Sequence, residues 1–321
     1  MDTVAIVGVG LIGGSFGLAL KQAGFSGRVI GVSSPQTVAA ALERGAIDEA
    51  LPLAEAAARA DLIYLAQPIG RILETVRRLD PFVREGALVT DAGSTKREIV
   101  AAAAMHLRRC RFLGGHPMAG KETRGVEEAE AGLFAGRTYA LTPLKPSDLD
   151  PEFAAWVTRI GAVPVILDPA AHDRVVSLTS HLPQLASTAL AATVAQHLES
   201  HLEVAGPGLV DATRLALSPY DVWRDILATN TAEIERALNA YIAELEHIRD
   251  NLRTRCAQEE FESAAALAGA HEQRPLHLKQ GDQFVYVDTG NAIPPQFNAV
   301  IMVEDIHVID EETIEIIEPA T

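Results

Sequence analysis

Two polar side chains at the ends of short apolar runs carry the chemistry open to this sequence: Ser94 in DAGSTK and His116 in GGHPMAG. A histidine with an ordinary pKa near ~6.5 can take a proton at neutral pH. A serine hydroxyl beside it can fix the ring, or share a hydrogen bond with a substrate hydroxyl. Alone, either residue reads as an ordinary strand-end group. Their company decides, because the runs that deliver them, Leu88 to Thr90 and Phe112 to Gly114, belong to a longer alternation.

That alternation starts at residue 4. Val4 to Val7 form an apolar run, Gly8, Gly10 and Gly13 fit G-x-G-x-x-G, and Ser15 to Gln22 read as a helix closed by Gly24. Gly8 permits a tight turn, Gly10 lets a pyrophosphate approach the backbone, and Gly13 allows close packing of helix on strand. The helix N-terminus then faces the phosphates. A dinucleotide site followed by a strand-end histidine implies redox chemistry with a proton to move.

Further strands are expected at Val29 to Val32, Leu62 to Ala66, Tyr139 to Thr142 and Val163 to Leu167, and helices at Gln36 to Arg44 and Ile69 to Leu79. This βαβ pattern predicts a mainly parallel sheet with its ligand at the carboxyl ends of the strands. Cofactor contacts are therefore expected from Gly8, Gly10, Leu11, Ile12, Gly13, Ser33, Ser34, Gln67, Pro68 and Asp91. Asp91 and Lys96 also suit a turn or a helix cap. An NAD site usually has Asp or Glu after the second strand; VIGVSSPQ offers Ser33 and Ser34, with no adjacent Arg to clamp a 2'-phosphate. NAD and NADP both stay open.

Beyond Asp168-Pro169 the pattern becomes helical. His172 to His201 reads as one helical region, kinked at Pro183, and Tyr220 to Arg255 as another. In the latter, Trp223, Leu227, Asn230, Ile234, Leu238, Tyr241, Leu245, Ile248 and Leu252 recur at spacings of three and four. So long an apolar stripe predicts a homodimer, with burial inside the monomer as the alternative. From His271 onward apolar and polar residues alternate as in hairpin strands, without recognisable chemistry. The expected fold is an α/β Rossmann-type nucleotide-binding domain over residues 1–168, an all-α substrate and dimerisation domain over 169–270, and a short β-rich extension over 271–321.

Composition narrows the function. A formal net charge of -16 argues against nucleic acid or an anionic membrane as partner. Cys110 and Cys256 are the only cysteines, too few for a disulfide framework or a metal site, so no metal is expected. Asp2 and the lack of Lys or Arg before the first apolar run argue against a signal peptide, and a cytoplasmic location is expected. An anionic substrate would need local positive charge, which makes single arginines informative.

Taken in order, GVGLIGGS, DAGSTK, GGHPMAGKETRGVE, TSHLPQLAS and DATRLALSPYDVWRDILATN resemble the prephenate and arogenate dehydrogenases of tyrosine biosynthesis, over roughly residues 4–255. The resemblance implies oxidative decarboxylation with hydride transfer to NAD or NADP, in a homodimer. It implies that His116 accepts the ring-hydroxyl proton, that Ser94 bonds His116 or that hydroxyl, and that Glu122 closes the substrate entrance. Arg214 would hold the ring carboxylate of a small dicarboxylate substrate, a task suited to a permanently charged, bidentate guanidinium. Ser180, His181 and Gln184 would line the same pocket. Gln184 is neutral and offers no partner to the ammonium of arogenate, which favours prephenate, with arogenate or dual use as the alternative. A 3-hydroxyacid dehydrogenase would need a Lys on an interdomain helix, and none lies between Lys145 and Lys279. A non-catalytic dinucleotide sensor would not need Ser94, His116 and Arg214 together.

Overall fold

The computed structural model describes residues 1–121 and 123–252, a helix over Gln258–Glu272, and strands Leu276–Lys279, Ile306–Val308 and Thr313–Ile316. The chain divides into two units, Met1–Ala240 and Tyr241–Thr321.

In the first unit, strands β1 (Thr3–Val7), β2 (Arg28–Val32), β3 (Glu49–Ala50), β4 (Leu62–Leu65), β5 (Leu88–Asp91), β6 (Arg111–Pro117), β7 (Thr138–Thr142) and β8 (Val163–Ile166) form one sheet in the order β3-β2-β1-β4-β5-β6-β7-β8. All pairs are parallel except β6 with β7. Strand alternation splits the core between the two faces. Val4, Ile6, Leu62 and Tyr64 join Phe16, Phe134, Phe153 and Trp156 on one side. Ala5, Val7, Ile63 and Leu65 join Ile72, Val76 and Ile99 on the other.

Helices α1 (Leu11–Gln22), α2 (Pro35–Glu43), α3 (Leu53–Arg59), α4 (Ile69–Leu79), α5 (Arg97–His106) and α6 (Pro151–Arg159) connect the strands. The order reverses between β1 and β4, which opens a crevice at their carboxyl ends. The short β3 is the one strand of this sheet the sequence pattern did not announce; two residues are too few for a periodicity.

The helical half follows as α7 (Pro169–Val176), α8 (Leu182–His197), α9 (Pro207–Thr213), α10 (Tyr220–Thr229) and α11 (Thr231–Asn251). Two expectations change here. The region from His172 is interrupted by a π-helical turn, Ser177–His181, ahead of Pro183, and its helix stops at His197. The expected continuous helix from Tyr220 breaks at Asn230 (φ -130°, ψ 24°), whose side chain donates to the Asp173 carbonyl at 2.8 Å. A buried amide with an off-axis partner outweighs propagation, so the apolar stripe is divided between two helices; Arg255 lies outside the described residues. In the second unit the described strands pair antiparallel, Thr313–Ile316 in the middle, as the alternation in the tail predicts.

Candidate active site

At the switch point, Gly8 takes φ +92°, and a Cβ there would lie 2.7 Å from the Ala66 carbonyl oxygen. A Cβ on Gly13 would lie 2.1 Å from the Gly8 carbonyl oxygen, so α1 can pack this closely on the turn only without a side chain. Gly10 differs: a Cβ there would meet nothing within 4 Å and would stand in open space. No side chain caps α1 at Gly10. An uncapped helix start above open space fits the pyrophosphate of a dinucleotide.

The space is a cleft of about 930 Å³ whose walls come from both halves of the first unit. Gly10, Leu11, Ile12, Gln67, Pro68 and Ser94 contribute from the nucleotide half, Gln184 and Arg214 from the helical half. Lys121, Arg124 and Arg224 add positive charge and Asp221 and Asp225 negative, with Arg224 paired to Asp225 at 3.1 Å and Lys121 to Glu130 at 2.8 Å. Four cations against two acids still leave the described lining net positive in a chain of net charge -16, which suits an anion.

Other expected residues take different positions. Gly8 and Gly13 shape the turn from beneath. Ser33 and Ser34 follow β2 and are exposed, and the Ser34 hydroxyl accepts the Thr37 N–H to cap α2. Asp91, expected at the cofactor, is fully buried: it pairs with the Lys96 ammonium and accepts the N–H groups of Gly93 at 2.8 Å and Gly115 at 3.1 Å. Its oxygens are used in holding β5 to β6, the turn-forming role also open to it. Ser180 and His181 fall on the π-helical turn, and neither lines the cleft. The extra residue of that turn rotates the facing by about 100°, and His181 instead stacks edge-on against Trp223 and lies 3.3 Å from the Asn230 amide. Glu122 lies outside the described residues.

His116 sits within β6, opposite Ala140, is buried, and is not among the residues that line the cleft. Burial pushes its imidazole well below the usual histidine range, and positive charge on His172, Lys96 or His181 would push the same way. At neutral pH the ring is neutral, the form that can accept a proton. Its bonding partner is not the expected Ser94: His116 Nδ1 lies 2.9 Å from His172 Nε2, and His172 Nδ1 lies 2.8 Å from Asp173 Oδ1. No hydrogen bond joins Ser94 to His116 among the described residues. The Ser94 hydroxyl lines the cleft, where the other role expected of it, bonding the substrate hydroxyl, stays open.

Sequence reasoning missed His172 and Asp173, and also Lys96 as a buried cation whose ammonium donates to the Gly115 carbonyl at 2.6 Å. The adjacent His-Asp pair was itself the available signal. It was hidden by reading the stretch as helix alone. Asp225 was missed too; its carboxylate accepts the Gly70 N–H at 2.9 Å, at the start of α4.

Known proteins match this arrangement along most of the chain. Residues 16–160 fit the nucleotide-binding domain of prephenate dehydrogenase, and residues 168–265 fit the dimerization domain of the same family. A prephenate dehydrogenase of Bacillus subtilis is 31% identical, covering 98% of this chain and 88% of its own. One from Lactococcus lactis is 34% identical over 72% of this chain, and the match spans 65% of that relative's length. The crystal structure of prephenate dehydrogenase from A. aeolicus, in complex with hydroxyphenyl propionate and NAD+, superposes with a TM-score of 0.77 at 32% identity, covering 84% of this chain and 97% of that one. Two family domains in register, on a cleft built between the same two halves, place this chain in the prephenate dehydrogenase family.

Proposed function

We propose that the chain oxidises prephenate to 4-hydroxyphenylpyruvate and CO2, with NAD or NADP as hydride acceptor. The observation that carries this reading is the cleft lined both by the glycine turn, with its uncapped helix start, and by Arg214. A bound nicotinamide supplies the hydride acceptor, and the chain supplies the rest. Arg214, with Arg124 also in the cleft lining, holds the dicarboxylate. His116, neutral and buried, takes the proton of the ring hydroxyl as its carbon loses hydride, and departure of the ring carboxylate as CO2 leaves the ring aromatic.

Gln184 spends its amide N–H groups on the Leu215 carbonyl at 2.8 Å and the Thr188 hydroxyl at 3.3 Å. It brings no negative charge to an ammonium, which supports prephenate over arogenate. Residues 169–270 form the substrate and dimerisation half in this reading. Val204 and Val210, 80% and 64% exposed and outside the cleft lining, offer an apolar surface for a second copy. No helix among the described residues is long and apolar enough to cross a membrane.

The test follows reduced nicotinamide and CO2 with prephenate or arogenate and with NAD+ or NADP+. Turnover on prephenate is expected, and His116→Asn should lower it by roughly 100-fold or more while dinucleotide binding stays intact. A folded wild-type protein inactive on both substrates would refute the assignment.

A further inference from the structure

The hydrogen bonds behind His116 determine which of its nitrogens can act. Asp173 is fully buried, and Oδ1 accepts the Lys96 N–H at 2.7 Å while Oδ2 accepts the Arg97 N–H at 2.9 Å. Both amides belong to the start of α5, where a negative charge is favoured. As a carboxylate, Asp173 can only accept. The hydrogen in its 2.8 Å contact with His172 therefore sits on His172 Nδ1.

A neutral imidazole carrying hydrogen on Nδ1 has its lone pair on Nε2. His172 Nε2 is the atom facing His116 Nδ1, so that hydrogen sits on His116 Nδ1 and the lone pair of His116 is left on Nε2. Nε2 makes no hydrogen bond among the described residues. Lys96, whose ammonium is held by Asp91 and the Gly115 carbonyl, and His181, beside Asn230, are the other titratable groups packed around the pair. The Lys96 charge opposes protonation of His116 from one side.

We propose that His172 and Asp173 are positioning residues that lock His116 in its Nδ1–H form, expose Nε2 as the proton acceptor, and share the charge when the proton arrives. The proposal rests on the reading of His116 as the acceptor of the substrate proton. During the step, the substrate O–H bond breaks and an Nε2–H bond forms on His116. The hydrogen on His116 Nδ1 strengthens its bond to His172 Nε2, and His172 in turn leans on the Asp173 carboxylate. The ring that accepts the proton is thus stabilised through two bonds by an anion it never touches.

His172→Phe and His172→Gln separate this role from simple packing. Phe removes the acceptor for His116 Nδ1. It should lower kcat by roughly 100-fold, leave KM and the dinucleotide Kd within about threefold, and move the acid limb of the kcat profile to lower pH. Gln keeps a carbonyl oxygen for the same hydrogen but cannot carry charge. It should recover about tenfold of the loss with the acid limb still displaced. A Phe variant within about threefold of wild-type kcat, or equal losses in both variants with an unmoved acid limb, would overturn the proposal.

Magnetic resonance of isotope-labelled histidines in the resting wild-type protein reads the tautomers without turnover. His116 and His172 should both carry hydrogen on Nδ1, and an Nε2–H form of His116 overturns the proposal whatever the kinetics show. Wild-type inactivity would refute the catalytic reading by itself, and the tautomer measurement would still decide this one.

Discussion

Lowering the pH should destabilise this protein well above the carboxylate range, and His181 contributes a share whose size can be worked out. Its imidazole is buried between Trp223 and Asn230. Burial pushes it down to about 4; the Asp173 carboxylate opposes the shift and His172 reinforces it. In the unfolded chain the same group titrates near ~6.5. The unfolded state therefore binds a proton that the folded state refuses, so stability is full above the unfolded value and is lost as pH falls toward 4. At about pH 5 the unfolded state is favoured by about 30-fold from this residue alone, or about 2 kcal/mol, on an order-of-magnitude reckoning. His116 is lowered as well and adds loss in the same direction. Urea denaturation at about pH 7 and about pH 5 measures the difference, and Trp223, with its ring 5.9 Å from His181, provides a fluorescence signal. His181→Gln keeps a polar partner for Asn230 and removes the titration, so it should shrink the pH dependence by about 2 kcal/mol. Equal losses of stability in wild type and variant would refute the reasoning.

Two further predictions concern the cleft. Gly10→Ala, whose Cβ meets nothing within 4 Å, should melt as wild type does but bind dinucleotide at least about tenfold more weakly, while Gly13→Ala, with its Cβ 2.1 Å from a carbonyl oxygen, should lose about 1–3 kcal/mol of stability; denaturation together with a dinucleotide titration distinguishes the two. Arg214→Ala should raise KM for prephenate by at least about 30-fold with little change in dinucleotide binding, since truncating one partner of a charged pair costs about 2–5 kcal/mol; if both constants move together, Arg214 holds the fold.

The nucleotide half was legible because its determinants are local. Alternating apolar runs, three glycines at fixed spacing and a proline after His116 each act within a few residues, and Ile69–Leu79 came out with the expected bounds. The cleft residues Gly10, Leu11, Ile12, Gln67, Pro68, Ser94, Gln184 and Arg214 were likewise readable, on the glycine pattern and the ordered motifs. What escaped depends on partners far away in sequence. The break at Asn230 is fixed by a carbonyl 57 residues earlier, and the bond to His116 comes from a ring 56 residues later. Asp91 misled because a strand-end acid looks the same whether it faces a ligand or, as here, a buried lysine. The π-helical turn escaped for a different reason: one extra residue per turn leaves no mark on an apolar pattern so short.

Two helices of the nucleotide half borrow their N-terminal caps from the other half. Asp173 receives the amides of Lys96 and Arg97 at the start of α5, and Asp225 receives that of Gly70 at the start of α4. A cap is worth about 1 kcal/mol, and a borrowed one is lost whenever its lender leaves. The two family segments are therefore not interchangeable cassettes. A chimera joined near residue 168 would have to bring acids to both places at once, and a nucleotide half expressed alone would carry two helix starts stripped of their anions. Sequence change at this seam is constrained on one side: the donors are backbone amides that any residue but proline supplies, so it is Asp173 and Asp225 that cannot drift.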